Sequence, residues 1–157
     1  MISDTGFFPD GKWHGLARAL RTEAQGEQLM ASLTPAGFEE IMRQSAPRAD
    51  PDAVAEYAKT HADAERRASV LDLYRSGDFG KLARHDGALA ALGVPTLILW
   101  GEHDDFAPLA SAHRFTREIP HAQLVIVEGA GHFLFDEEPE RAAREVASFL
   151  RASLDPV

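Results

Sequence analysis

The sequence predicts an α/β chain: two or three parallel strands with flanking helices, preceded by a long helical stretch. Three observations lead there. Residues 11–92 carry apolar side chains at spacings of three and four between Gly and Pro breaks, the period of a helix. Residues 93–157 alternate short, continuously apolar runs with amphipathic segments in the order strand, helix, strand, helix. The first of those runs, PTLILW, is bounded by Gly93 and Gly101, as suits a strand buried on both faces of a parallel sheet.

Taken in order, GKWHGLARALRTE and TPAGFEEIMRQ read as short helices whose Trp13, Leu16, Leu20, Phe38, Ile41 and Met42 need a surface to cover. ADPDAVAEYAKTHADAERRASVLDLYRSG reads as one long helix. Asp50 can cap it and Pro51 suits its first turn. Val54, Tyr57, His61, Ala64, Ala68 and Leu71 share one face, and Gly77 ends it. After PTLILW comes PLASAHRFTREIP, a helix with Ala112, Phe115 and Ile119 on one face. QLVIV is a second buried strand, and EGAGHFLFDEEPE a Gly-rich loop. PERAAREVASFLRASL closes the chain as a helix with Ala143, Val146, Phe149 and Leu150 inward. Its acidic entry, Asp136 to Glu138, complements the positive end of the helix dipole.

Composition narrows the function classes. Sixteen Lys and Arg against twenty-five Asp and Glu leave a net charge of −9, and no basic run occurs. Nucleic acid and anionic membranes are therefore not expected partners, since both need clustered cations. The chain has no cysteine, which excludes disulfides, thiolate catalysis and Cys-based zinc sites. MISDTGFFPDGKW has no basic region followed by an apolar core, and LAALGVPTLILW is too short to span a bilayer. A cytoplasmic protein without a cofactor is expected. No metal is expected either, because His103 beside Asp104 and Asp105 has no second cluster at ligand spacing.

The topology has a chemical consequence. Two parallel strands joined by a crossover end on the same edge of their sheet, where ligands bind in such folds. The loop after the first carries Asp104 and Asp105, and the loop after the second carries His132 between Gly131 and Phe133. A buried carboxylate facing an imidazole fixes the ring tautomer and stabilises the imidazolium formed on proton uptake. Gly129 and Gly131 would let the backbone turn sharply and aim the ring. The plainer alternative is a turn carboxylate and a loop histidine that never meet.

VPTLILWGEHDDFAP followed by AQLVIVEGAGHFLFDEEPE resembles the last two strands of the α/β-hydrolase superfamily. The pattern apolar strand, Trp-Gly-x-x-Asp-x-x-x-Pro is similar to the segment carrying that family's acid and lands on Gly101, Asp104 and Pro108; GAGHF is similar to its histidine loop and lands on His132. The order acid then histidine agrees with Ser…Asp/Glu…His. The resemblance implies a partial α/β-hydrolase fold: residues 1–10 as the end of a core strand and entry to a lid, 11–92 as the helical lid, and 93–157 as the carboxyl-terminal part of the core. It implies Asp104 as the orienting acid, Asp105 as its solvated neighbour, and Asp4 as an alternative acid, as in certain dehalogenases. The lid-bearing branch includes esterases, epoxide hydrolases and haloalkane dehalogenases.

The family's nucleophile elbow, small-x-nucleophile-x-small after a strand, has no counterpart here. SGDFG, centred on Asp78, fits the letters but follows a helix. The chain alone is thus expected to be weakly active or inactive. A second polypeptide supplying the nucleophile half, self-association through an exposed sheet edge, or a truncated product that acts as a non-catalytic interaction or binding module are the alternatives. Trp13 and Phe133 are the candidate contacts to a small, largely apolar substrate, ahead of Phe7 and Phe8, because such pockets are apolar and aromatic. His61 reads as a packed histidine bonded to a neighbour; His14, His85, His113 and His121 read as surface residues.

Overall fold

A computed structural model describes residues 1–3 and 8–154. The chain divides into two compact units, Met1–Gly6 with His85–Val157, and Phe7–Arg84.

The second unit is helical: α1 (Gly15–Arg21), α2 (Gln25–Ser32), α3 (Pro35–Ser45), α4 (Pro51–Ala62), α5 (Ala64–Ser76) and a 3-10 segment, Phe79–His85, at its end. The single long helix expected from residue 50 onward is two. Asp63 interrupts it, because its side chain accepts the Glu65 and Arg66 amides (2.8 and 3.3 Å) and so caps α5. The Arg67 guanidinium meanwhile takes up the His61 and Ala62 carbonyls at the end of α4. The predicted common face is divided accordingly: Val54, His61 and Leu71 are buried, whereas Tyr57, Ala64 and Ala68 are exposed. Asp50 does sit at the start of α4, its carboxylate accepting the Asp52 amide at 2.7 Å.

Two further corrections concern the ends of helices. Trp13 precedes α1 instead of lying in it; His14 caps that helix through Nδ1 and the Ala17 amide (3.3 Å), so His14 is no bystander on the surface. Gly77 ends α5 in an extended conformation (φ −68°). It is small there because a Cβ would lie 2.8 Å from the Trp13 ring. Helix α2 was not foreseen. Its Gly26 lowers helix propensity but lets α2 approach α5, where a Cβ would meet Leu71 and Arg75 at 3.0 Å. Leu20, Met30 and Leu71 form the core of this unit. Arg75 forks onto Glu27 (2.6 and 2.8 Å) and holds that carboxyl at about 2, far below its usual range.

The first unit holds the sheet. β1 (Leu97–Gly101) pairs in parallel with β2 (Gln123–Val127), from Leu97 opposite Gln123 to Gly101 opposite Val127. Ile2 bonds the other edge of β1 in parallel, donating to Leu97 (2.8 Å) and accepting from Leu99 (3.0 Å). β1 is therefore central, and all five of its residues are buried. β2 departs from expectation. Only Val127 is fully buried, because among the described residues β2 pairs on one side alone.

Helices cover both faces of this sheet. α6 (Leu109–Glu118) turns Ala112 and Phe115 inward, with Phe115 beside the Trp100 ring. On the other face, Leu97, Leu99, Val127, Ala130, Leu134 and Ala142 form the core, and Val146 and Phe149 of α8 (Pro139–Leu154) pack on it. Val146 and Phe149 face inward as predicted, but at the start of α8 the buried residue is Ala142 while Ala143 is exposed, and Leu150 is half exposed. No described helix is long and apolar enough to cross a membrane.

Candidate active site

The parallel register brings the ends of β1 and β2 level, and two backbone bonds stitch the loops that follow. The Glu102 amide donates to Val127 (3.1 Å) and the His103 amide to Ala130 (2.9 Å). The acid loop then folds back under β1, where the Trp100 indole donates to the Ala107 carbonyl at 2.9 Å. Inside that turn Asp104 Oδ1 accepts the Phe106 and Ala107 amides (2.9 and 2.7 Å). Asp104 is thus both a turn residue and more than one: its side chain is wholly buried, and both of its oxygens lie 3.0 Å from His132 Nδ1.

The histidine loop is held as firmly. Gly129 takes a left-handed φ of 71°, which glycine adopts without penalty. Its amide donates to Glu102 (2.9 Å), and the Gly131 amide donates to Glu137 (2.6 Å). Ala130 between them is fully buried. The loop backbone lies directly over Gly101, where a Cβ would sit 2.7 Å from the Ala130 oxygen and closer still to that of Gly131. The Trp-Gly pair at the end of β1 therefore has two separate jobs: the indole pins the acid loop, and the missing side chain makes room for the histidine loop.

Around the imidazole stand two phenyl rings. Phe106 is centred 5.0 Å from it, and Phe133 meets it edge-on at 5.3 Å. The His132 side chain retains 27% exposure, while that of Asp104 behind it is wholly buried. In this arrangement Nδ1 serves the carboxylate, and proton exchange falls to Nε2.

Other sequence-derived candidates lie elsewhere. Trp13 belongs to the helical unit, where it packs on Phe79 (4.7 Å) and Tyr74 and lies beneath the Arg21 guanidinium (4.6 Å). Phe8 is buried; Asp4 and Phe7 lie outside the described residues. Asp105 is exposed, as is His103, 3.6 Å from Glu102. His61 is buried and stacked on Phe38 (4.6 Å), but its Nε2 has no hydrogen-bond partner where a bonded histidine was expected. Burial, and secondarily the charge of Arg67, lowers its pKa below the ordinary 6.5. Among the described residues no group of three or more His, Asp or Glu could hold a metal.

Phe106 and Glu137 were not picked out from the sequence. Glu137 had been assigned with its neighbours to the dipole of the last helix. Instead it ends a one-turn helix, α7 (Leu134–Glu137), three residues from Leu134. That spacing puts both on one face, and the buried Leu134 carries Glu137 inward. The spacing was the available signal.

The profile of the alpha/beta hydrolase fold family matches residues 11–139. The chain belongs to the alpha/beta hydrolase fold family. Among curated proteins, a pimeloyl-[acyl-carrier protein] methyl ester esterase of Xanthomonas campestris pv. campestris is 30% identical over 103 residues, 59% of this chain and 41% of that protein. Among solved structures, the haloalkane dehalogenase DbeA of Bradyrhizobium elkani USDA94 superposes with a TM-score of 0.70 at 26% identity, over 86% of this chain and 49% of that one. The meta-cleavage product hydrolase CumD of Pseudomonas fluorescens IP01 gives a TM-score of 0.66 at 21% identity, over 95% and 54%, and shows the shared fold. The alpha/beta hydrolase chain described here thus spans about half the length of those structures and less of the curated relative.

Proposed function

We propose that this chain contributes the acid and the histidine of a hydrolytic triad acting on a small, largely apolar substrate: an ester, an epoxide or a haloalkane. The observation that carries the reading is the buried Asp104 carboxylate with both oxygens 3.0 Å from His132 Nδ1. In this reading the nucleophile comes from outside these 157 residues, in the same protein or a second polypeptide. For an ester, His132 Nε2 takes the nucleophile's proton as it attacks and returns it to the leaving group. It then takes a proton from the water that releases the product. For a carbon–halogen centre attacked by a carboxylate, halide departs as an anion and only the water step needs the base; an epoxide opened the same way also takes a proton onto its ring oxygen, from water or an acid outside these residues. Asp104 stays ionised throughout and offsets the imidazolium charge. Phe133, with Phe106, offers apolar surface beside the ring. The similarity to an esterase and to a haloalkane dehalogenase supports the ester and haloalkane classes.

A second reading is a non-catalytic interaction module. Hydrolysis of a chromogenic acetate ester by the purified chain separates the two. Without a nucleophile the rate should be small, since loss of that group costs a triad on the order of 10⁶-fold. It should still exceed the buffer rate and fall to it in His132→Ala. Equal rates for the two proteins would remove the catalytic reading of the isolated chain.

A further inference from the structure

Resting on the hydrolytic reading above, we infer that Glu137 is a positioning residue that sets the orientation of His132 through the backbone of the histidine loop. Glu137 is buried, 6% exposed, and its Oε2 accepts the Gly131 amide at 2.6 Å, one peptide before His132. Besides the turn bond from the Ala130 amide to the Val127 carbonyl (3.2 Å) and the Asp104–His132 bond itself, three contacts among the described residues hold the segment that carries the imidazole. Gly129 is bonded to Glu102, the Ala130 carbonyl to the His103 amide, and Gly131 to Glu137.

The three are not equivalent. Glu102 is exposed, so water can replace its oxygen at Gly129. The Ala130 bond repeats the link already made by the level strand ends. Of the three, Glu137 is the one that holds the loop from the turn that follows it, a turn anchored by the fully buried Leu134. A carboxylate taken out of water to accept a single backbone amide is a costly arrangement in a core that apolar residues could fill. It is intelligible if the amide must not move. Gly131 has no side chain, so among the described residues its peptide is held only by the contact of its carbonyl with Gly101 and by this bond at its amide.

The test reads the ring and not merely the fold. In ¹⁵N-labelled full chain at a pH where His132 is neutral, the ring nitrogen shifts report which nitrogen carries the proton. The Nδ1–H tautomer should dominate, because Asp104 accepts there, although an unrestrained imidazole prefers Nε2–H. Glu137→Leu keeps the bulk and removes the acceptor. It should shift the tautomer ratio about tenfold toward Nε2–H, while the β1 and β2 amides keep their native shifts. Glu137→Gln keeps an acceptor oxygen and should retain the wild-type tautomer. It should also move the Gly131 amide proton upfield, since a neutral acceptor bonds more weakly than a carboxylate. That second readout decides the matter even where the Leu variant does not fold. A Gly131 amide unmoved in Glu137→Gln, or a folded Leu variant with the wild-type tautomer, would overturn the inference. Asp104→Asn is the control arm. If it too leaves the tautomer unchanged, the Asp104–His132 reading itself fails; if it alone changes the tautomer, only the role of Glu137 does.

Discussion

Replacing Gly101 by alanine isolates the most demanding contact in the site. The added Cβ would lie 2.7 Å from the Ala130 oxygen and 2.9 Å from the Gly131 carbonyl carbon, where ordinary contact begins at 3.4 Å. The histidine loop must therefore retreat by about 0.7 Å or more. It cannot do so by local adjustment, because Ala130 is fully buried among Leu97, Leu99, Val127 and Leu134. Gly101 itself lies in a strand paired along its whole length. A shift of that size breaks the 2.9 Å bond from the His103 amide and carries Nδ1 from 3.0 Å to beyond bonding range of Asp104. Overpacking and the lost charge-assisted bond together should cost about 2–4 kcal/mol. Urea unfolding should show a lower midpoint with an unchanged slope. If the proposed triad is assembled, a displacement of about 1 Å at His132 should cost roughly a hundredfold in rate. A Gly101→Ala protein within about 0.5 kcal/mol of wild type, a surface-like effect, would show that the loop does not lie over the strand end as described.

Other consequences follow from single contacts. Trp100→Phe removes the indole donor and leaves the Ala107 carbonyl buried without it; urea titration should register a loss of about 2–3 kcal/mol and faster amide exchange at Phe106 and Ala107. Asp63→Ala removes the cap of α5 and should cost about 0.5–2 kcal/mol by the same measurement. His61 titrates below 6.5 in the folded chain, so the unfolded chain binds the proton more readily. Stability should therefore be full above pH 6.5 and decline as pH falls from there to the folded-state pKa. His61→Phe, which keeps the stack on Phe38, should remove that decline from urea midpoints taken across the range.

What could be read from the letters was whatever depends on order and period. PTLILW and QLVIV are too short and apolar for anything but strands, and a helix between them makes the strands parallel. That alone sends Asp104 and His132 to one edge. The Ala112, Phe115, Ile119 face of α6 follows from the same logic, and all three residues are buried. What could not be read depends on competition between local hydrogen bonds and helical period. Asp63 stands inside an uninterrupted helical pattern, and only its cap bonds reveal that it starts a new helix. The half-exposed β2 reflects how many strands flank it, which its own residues do not encode. Glu137 was misread because an acidic cluster before a helix usually serves the dipole. The buried Leu134 beside it turns one of the three carboxylates into the core instead. In the site, the acid and base were legible as residue types at strand ends. The fit of Gly101 under the loop was not, because it is made by backbone atoms, and Glu137 was signalled only by its spacing from Leu134.

The claim that Asp104 orients His132 is tested most directly by the ring ¹⁵N shifts of His132 in wild type and in Asp104→Asn. Oδ1 accepts the Phe106 and Ala107 amides, so an asparagine would keep its oxygen there and turn its amide nitrogen toward Nδ1. A donor would then face Nδ1 where an acceptor stood, and the ring proton should pass from Nδ1 to Nε2. The expected result is an Nδ1–H ring in the wild type and an Nε2–H ring in the variant. The same tautomer in both would mean that the two side chains do not share a hydrogen bond.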